Sequence, residues 1–176
     1  MLMQAWHIIW STYGSWLPGD PRGFRNRDHR IHSSGDYKVP PPPGEHAGLH
    51  RHAREISPDA VIVSELLRPK ISESIREALH RRETDHFAIS VSDKHVHLLM
   101  QTELGYEELK LLAGKLKTIS SLSIRSELPG NVWARGGYFG RIESENHFNA
   151  TRHYITRKQE PGAFVWDFEL GSWWMT

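Results

Sequence analysis

His95 and His97 stand two residues apart in the run Lys94-His95-Val96-His97-Leu98-Leu99-Met100. Successive side chains of a β-strand point to opposite faces, so this spacing puts both imidazoles on one face. Val96 and Leu98 then point to the other, into a core. Two imidazoles so placed can share one divalent cation and leave its remaining positions open. An open cation binds a phosphate oxygen and polarises the phosphorus. The same pair also suits a strand that merely carries histidines on its outer face. The second chemical element is Tyr154, in the run Asn149-Ala150-Thr151-Arg152-His153-Tyr154-Ile155. A phenol can attack phosphorus and hold a DNA end as a phosphotyrosine ester, which conserves the phosphodiester energy for rejoining. A tyrosine packed from a helix onto a sheet is the plainer reading of the same residue. His147, seven residues earlier, falls on nearly the same helix face. It suits a third ligand, a phosphate contact or a surface histidine.

These residues need a sheet and a helix to hold them. Trp6 to Tyr13 is rich in aromatic and β-branched residues and apolar on both faces, which predicts a central strand. Pro69 fits a first helical turn. Ile71, Ile75, Ala78 and Leu79 repeat at helical spacing, which predicts a helix over about 68–82. Residues 86–92 alternate as a strand, Asp93-Lys94 makes a turn, and 95–101 form the second arm of a hairpin. Leu109, Leu112, Leu116, Ile119 and Ile124 mark a long helix from Tyr106 to Leu128, ended by Pro129-Gly130. Short strands follow at 132–134 and 138–142. Ser144 is an N-cap for a last helix through about Gln159, and Pro161-Gly162 stops it. Residues 60–67 fit either state. The order is that of a β-α-β-β-α-β ferredoxin-like sandwich. The fold class is therefore α+β, with an antiparallel sheet and an extra C-terminal helix that carries the tyrosine.

The chain of 176 residues suits one domain over 1–176, with an insertion at 14–60 and an apolar tail at 161–176. The insertion holds seven of the ten prolines, including Pro40 to Pro43, and five histidines. Such a stretch forms no regular ladder or long helix. Trp16, Leu17 and Phe24 can pin its first part. The tail carries Phe164, Val165, Trp166, Phe168, Trp173 and Trp174, so it should dock on the domain or on a partner. Lys plus Arg number 22 against 21 acids, so any nucleic-acid site must come from local patches. No cysteine is present, which excludes disulfide scaffolds, thiolate zinc sites and thiol catalysis. No apolar run approaches the roughly 20 residues of a membrane span, and a cytoplasmic protein is expected. His29, His32, His46, His50 and His52 match no known ligand spacing.

Lys94 to Met100, the Lys-rich helix and Tyr154-Ile155 together resemble the single-tyrosine HUH transposases. The opening Trp6 to Pro18 resembles the branch of REP-associated tyrosine transposases. The resemblance implies a Mg²⁺ or Mn²⁺ on His95 and His97. It implies that Tyr154 cuts single-stranded DNA and stays on the 5′ phosphate. It implies hairpin-containing DNA as partner, and a homodimer as in the insertion-sequence enzymes, with a monomer as the alternative. The family often carries a Gln four residues after the tyrosine as a third ligand. Here that position is Lys158, and a protonated lysine cannot ligate a cation. Gln159, one residue later, is the substitute, provided that the helix end distorts to bring it round.

Leu109 to Ser126 contains Lys110, Lys115, Lys117 and Arg125 and no acid. Arg135, Arg141, Arg152, Arg157 and Lys158 follow. Together they make the C-terminal half locally basic, as phosphate binding needs. In the insertion Arg22, Arg25, Arg27 and Arg30 lie near Trp16 and Phe24, a combination that suits stacked single strands or a loop with no such role. Two function classes are thus open. One is a metal-assisted endonuclease and strand transferase, and the other a hairpin-binding protein on the same fold without catalysis, motivated by Lys158. A two-histidine phosphoesterase needs two His-x-Thr/Ser motifs, and an RNA-binding module needs aromatics where His95 and His97 stand.

Overall fold

The computed structural model describes residues 3–21, 42–57 and 59–176. The chain forms two compact units, one of Met1–Thr12 with Ile62–Thr176 and one of Tyr13–Val61. Phe24, Arg22, Arg25, Arg27, Arg30, His29, His32, Pro40 and Pro41 lie outside the described residues.

The first unit is a six-stranded antiparallel sheet. In chain order its elements are β1 (Gln4–Ser11), α2 (Arg68–His80), β2 (Asp85–Val91), β3 (His95–Thr102), α3 (Tyr106–Ser123), β4 (Tyr138–Arg141), α4 (Glu145–Arg157), β5 (Phe164–Asp167) and β6 (Gly171–Trp174). The strand order is β4-β1-β3-β2-β5-β6. The first four strands have the arrangement expected of a β-α-β-β-α-β sandwich. The tail adds two more strands beyond β2, so it docks on its own sheet. Gly171, with φ 82°, makes the tight turn between them.

The register fixes two faces. Ile8 pairs with Leu98, Trp10 with Val96, and Leu98 with Ile89. All five side chains are buried on one face. Ile71, Ile75 and Leu79 of α2, and Leu109 and Leu116 of α3, are buried too. Trp133 sets its ring edge against Trp10 and donates from Nε1 to Ser120 Oγ of α3. This places α3 on the Trp10 face. The opposite face carries Ile9, His95, His97 and Leu99. It is covered by α4, whose Ile155 packs with Ala88, Leu99 and Ile142, flanked by Ala5, Phe87 and Phe148.

Several local departures have physical causes. The regular part of α3 ends at Ser123, five residues before the expected stop. Ser120 Oγ and Ser123 Oγ donate to the carbonyls of Leu116 and Ser120, and such side-chain bonds compete with the helix ladder. Residues 132–134 form no full strand, only a bridge between Thr12 and Trp133. Residues 65–67 form one tight 3₁₀ turn that leads into α2. Arg68 locks this entry by donating to Val63 O from Nε and Nη2 at 3.1 and 3.0 Å.

In the second unit a ten-residue helix, α1 (Ala47–Ile56), stands where the composition argued against a long one. Pro40 to Pro43 all precede it, so proline does not interrupt it. Gly19, with φ 80°, lies so close that a Cβ would come within 2.5 Å of His50 N. Only glycine fits there.

The tail is pinned to α4 by an ion pair. Arg152 donates from Nε and Nη2 to Asp167 at 2.7 and 2.6 Å, and from Nη2 to Glu169 at 2.6 Å. Asp167 is 1 % exposed. Burial pushes its carboxyl pKa up, and the Arg152 bonds outweigh this and hold it below the usual range. Arg152→Ala leaves that carboxylate with only the Glu169 and Leu170 amides. Urea unfolding should show a loss of about 3 kcal/mol, the lower end for a broken buried pair.

Candidate active site

β3 delivers His95 and His97 to the α4 face, as the two-residue spacing requires. Their ring centroids lie 4.8 Å apart. His97 is buried at 3 % exposure. Ser90, its partner on β2, buries a hydroxyl there with no hydrogen-bond partner among the described residues. Tyr154 projects from the flank of α4 beside the buried Ile155. Its ring meets His97 edge-on at 5.5 Å, and it is 45 % exposed. The nucleophile candidate and the two ligand candidates thus meet within one chain. The phenol remains open to a large substrate.

A fourth residue joins them. His7 of β1 stands diagonal to His97, because Ile9 is the residue paired with it. His7 Nε2 lies 3.0 Å from His97 Nδ1, and the rings stack at 5.2 Å and 23°. The edges of Tyr138 and Tyr154 close on the His7 ring at 6.1 and 6.4 Å. Sequence reasoning placed His7 on the first strand but gave it no role. The signal was its odd position, which shares a face with Ile9 and, by the register, with His97.

The ring nitrogens divide cleanly. His97 Nδ1 faces His7, and His95 Nδ1 lies 3.0 Å from Ser92 Oγ. Nε2 is therefore the nitrogen left to each ring, and that of His95 lies 3.6 Å from Glu160 Oε2. Burial, followed by the nearby His147, lowers the His7 pKa to about 4. Burial, followed by His95 and His7, holds His97 well below its ordinary value. Neutral imidazole is the form that binds a metal. The donor set therefore fits a divalent cation at two positions. Among the described residues no three His, Asp or Glu side chains form a ready cage. Mg²⁺ does not require one, because it keeps waters and takes substrate phosphate oxygens.

The end of α4 supplies the remaining donors. The helix stops at Arg157, and the Lys158 amide donates to Tyr154 O. Gln159 is buried and its Nε2 donates to the same carbonyl at 3.1 Å. Its amide nitrogen is thus turned back on the helix. Glu160 instead sets Oε2 3.6 Å from His95 Nε2. His147 is exposed, and its Nδ1 accepts from Glu143 N at 3.4 Å.

The basic residues fall on different sides. Lys110, Lys115 and Lys117 belong to α3, so the sheet stands between that helix and the histidine face. Lys110 pairs with Glu107. Lys117 donates to the carbonyls of Ala134, Arg135 and Gly136, and burial lowers its pKa to about 8. Arg125 and Arg135 are exposed beyond α3. Arg152 is held by Asp167 and Glu169. Arg157 lies over the Trp173 ring at 5.1 Å. Arg152, Arg157 and Lys158 are the cations within four residues of Tyr154, and of these Arg152 is paired with Asp167 and Glu169.

The buried imidazoles make stability depend on pH. The folded His7 pKa, near 4, lies below the ordinary 6.5, so the unfolded chain takes up its proton first. Stability is full above about pH 6.5 and falls as pH drops toward 4, by about 3 kcal/mol for His7. Urea unfolding at pH 7.5, 5.5 and 4.5 should show this slope, and His7→Gln should make it shallower, leaving the share due to His97.

Residues 54–158, more than half of the chain, match the family described as "Transposase IS200 like". Among solved structures, the chain is similar to a REP-associated tyrosine transposase bound to a REP hairpin. The identity is 13 % and the TM-score 0.48, with 86 % of this chain and 64 % of that chain covered. It thus spans less than two thirds of that relative's length. It is also similar to a candidate transposase from Deinococcus radiodurans R1, at 17 % identity and a TM-score of 0.46, covering 88 % of this chain and 90 % of that one. No curated protein matches it. On the extent of the family match, the chain belongs to the IS200-like transposases.

Proposed function

We propose that the chain is an endonuclease and strand transferase of single-stranded DNA, acting at hairpin-containing sites through Tyr154. The observation that carries this reading is the edge-on approach of Tyr154 to His97 at 5.5 Å, beside His95. A phenol nucleophile and two imidazole ligand atoms then face one space. Mg²⁺ or Mn²⁺ held by His95 and His97 would supply Lewis-acid polarisation of a phosphate oxygen.

The protein's own part follows from the residues. Tyr154 loses its phenolic proton and forms an O–P bond to the scissile phosphate. The P–O3′ bond breaks, and the 3′ oxygen leaves as a hydroxyl after taking up a proton. A second 3′-OH reverses the step and rejoins DNA without ATP. Arg157 and Lys158 can hold flanking phosphates, with Arg135, Arg125, Lys110 and Lys115 contacting DNA only where it wraps past the sheet. Such contacts make binding salt-dependent. A homodimer is part of this reading, as is a single functional domain over 1–176.

The test is a covalent-adduct assay. Single-stranded oligonucleotides with candidate hairpins from the DNA flanking the gene are incubated with protein and Mn²⁺ and run on a denaturing gel. A slower protein band is expected. EDTA and Tyr154→Phe should abolish it. His97→Ala should reduce it by more than about 100-fold, beyond the range typical of residues that only orient a ligand. Hairpins that shift on a native gel but give no adduct would favour binding without catalysis, the reading that Lys158 motivates.

The third ligand position is open to a separate measurement. Gln159 is the sequence-based choice, and Glu160 is the acid that faces His95. Calorimetric titration with Mn²⁺ should show Glu160→Ala binding about 10-fold more weakly, since hard cations favour carboxylate oxygen. Gln159→Ala should bind as the native protein does.

A further inference from the structure

His7 forms no part of the ligand pair, yet its Nε2 lies 3.0 Å from His97 Nδ1. A neutral imidazole carries one N–H, so the bond between His7 Nε2 and His97 Nδ1 can run in only two ways. If His7 donates, His97 must keep its own proton on Nε2 and has no lone pair for a cation. If His97 donates from Nδ1, its Nε2 is a free lone pair aimed into the site. The contact is 3.0 Å between two stacked rings, with the His7 ring further held by Tyr138 and Tyr154.

We infer that His7 is a positioning residue: it accepts the Nδ1 proton of His97, holds His97 in the tautomer that exposes Nε2, and so builds the cation site before any cation arrives. The inference rests on the proposed metal-binding role of His97. Ser92 stands at the corresponding nitrogen of His95, but its single hydroxyl hydrogen has a second acceptor in the His95 carbonyl at 3.3 Å, so it fixes no tautomer. The Lys94 and His95 amides already donate to it. Among the described residues, of the two ligands His97 alone is hydrogen-bonded through its Nδ1 to another ring. The two ligands are therefore unequal, and His97 is the preorganised one. A partner on the far ring nitrogen also raises the basicity of the ligating one.

The first test needs no metal. Protein with ¹⁵N-labelled histidine is examined by long-range ¹H–¹⁵N NMR at pH 7.5. His97 is expected with a protonated Nδ1 and a bare Nε2, and His7 with a bare Nε2. His7→Phe keeps a flat ring but removes the acceptor, and His97 should then move to the Nε2–H tautomer. His7→Gln offers an amide oxygen near the lost nitrogen and should restore the native pattern. The second readout is Mn²⁺ affinity by calorimetry on the same proteins. His7→Phe should bind about 10–100-fold more weakly, and His7→Gln should bind as the native chain does.

A protonated Nε2 on His97 in the native protein would overturn the inference. So would equal losses of affinity in His7→Phe and His7→Gln, which would reduce His7 to packing. Native-like Mn²⁺ binding by His7→Phe, or no Mn²⁺ binding by the native chain, would do the same. A chain that binds Mn²⁺ through His7-dependent His97 but forms no DNA adduct would end the nuclease reading and leave this inference standing.

Discussion

The structure depends on the pairing of β1 with β3. That ladder sets Ile8 beside Leu98 and Trp10 beside Val96, which close the core under α2 and α3. By alternation alone it then presents His7, His95 and His97 together on the reverse side. A slip of one residue would throw His7 into the apolar core and Ile8 against the imidazoles. The hydrophobic effect thus guards the geometry of the polar site. No separate interaction has to hold the register, because every buried side chain on the other face already does.

Much of this was legible from residue types and spacing. The His95-Val96-His97 alternation gave the two faces of β3, and Ser144 gave the start of α4, where its side chain accepts from His147 N. The four-strand order followed from the alternation of strand and helix patterns. What stayed hidden depended on partners distant in sequence. His7 reads as one polar residue in a strand that is apolar on both faces, and only the register pairs it with His97. The side on which α3 lies is a matter of topology, so its lysines looked close to Tyr154 when the sheet separates them. The last strands were obscured by their shortness and by Gly171. Arg152 resembled a phosphate contact because Asp167, its partner, lies fifteen residues on in a segment with no clear pattern.

The polar face shows a consistent electrostatic logic. Cations are kept away from the imidazoles or are committed elsewhere: Arg152 to Asp167 and Glu169, Lys117 to three carbonyls. Burial first, and neighbouring histidines second, lower the pKa of His7 and of His97. A region arranged this way leaves room for positive charge to be brought in by a ligand. Glu160, whose Oε2 lies 3.6 Å from His95 Nε2, has the sign that would welcome such a charge.

The tie between Arg152 and Asp167 has a consequence for how the protein can vary. Tyr154 rides on the same helix as Arg152, two residues along. The position of the phenol is therefore coupled to the seating of β5 on β2. Drift in the tail would be transmitted to the Tyr154 phenol as a tilt of α4. A tag or fusion attached after Trp174 would perturb Tyr154 sooner than it perturbed His95 and His97.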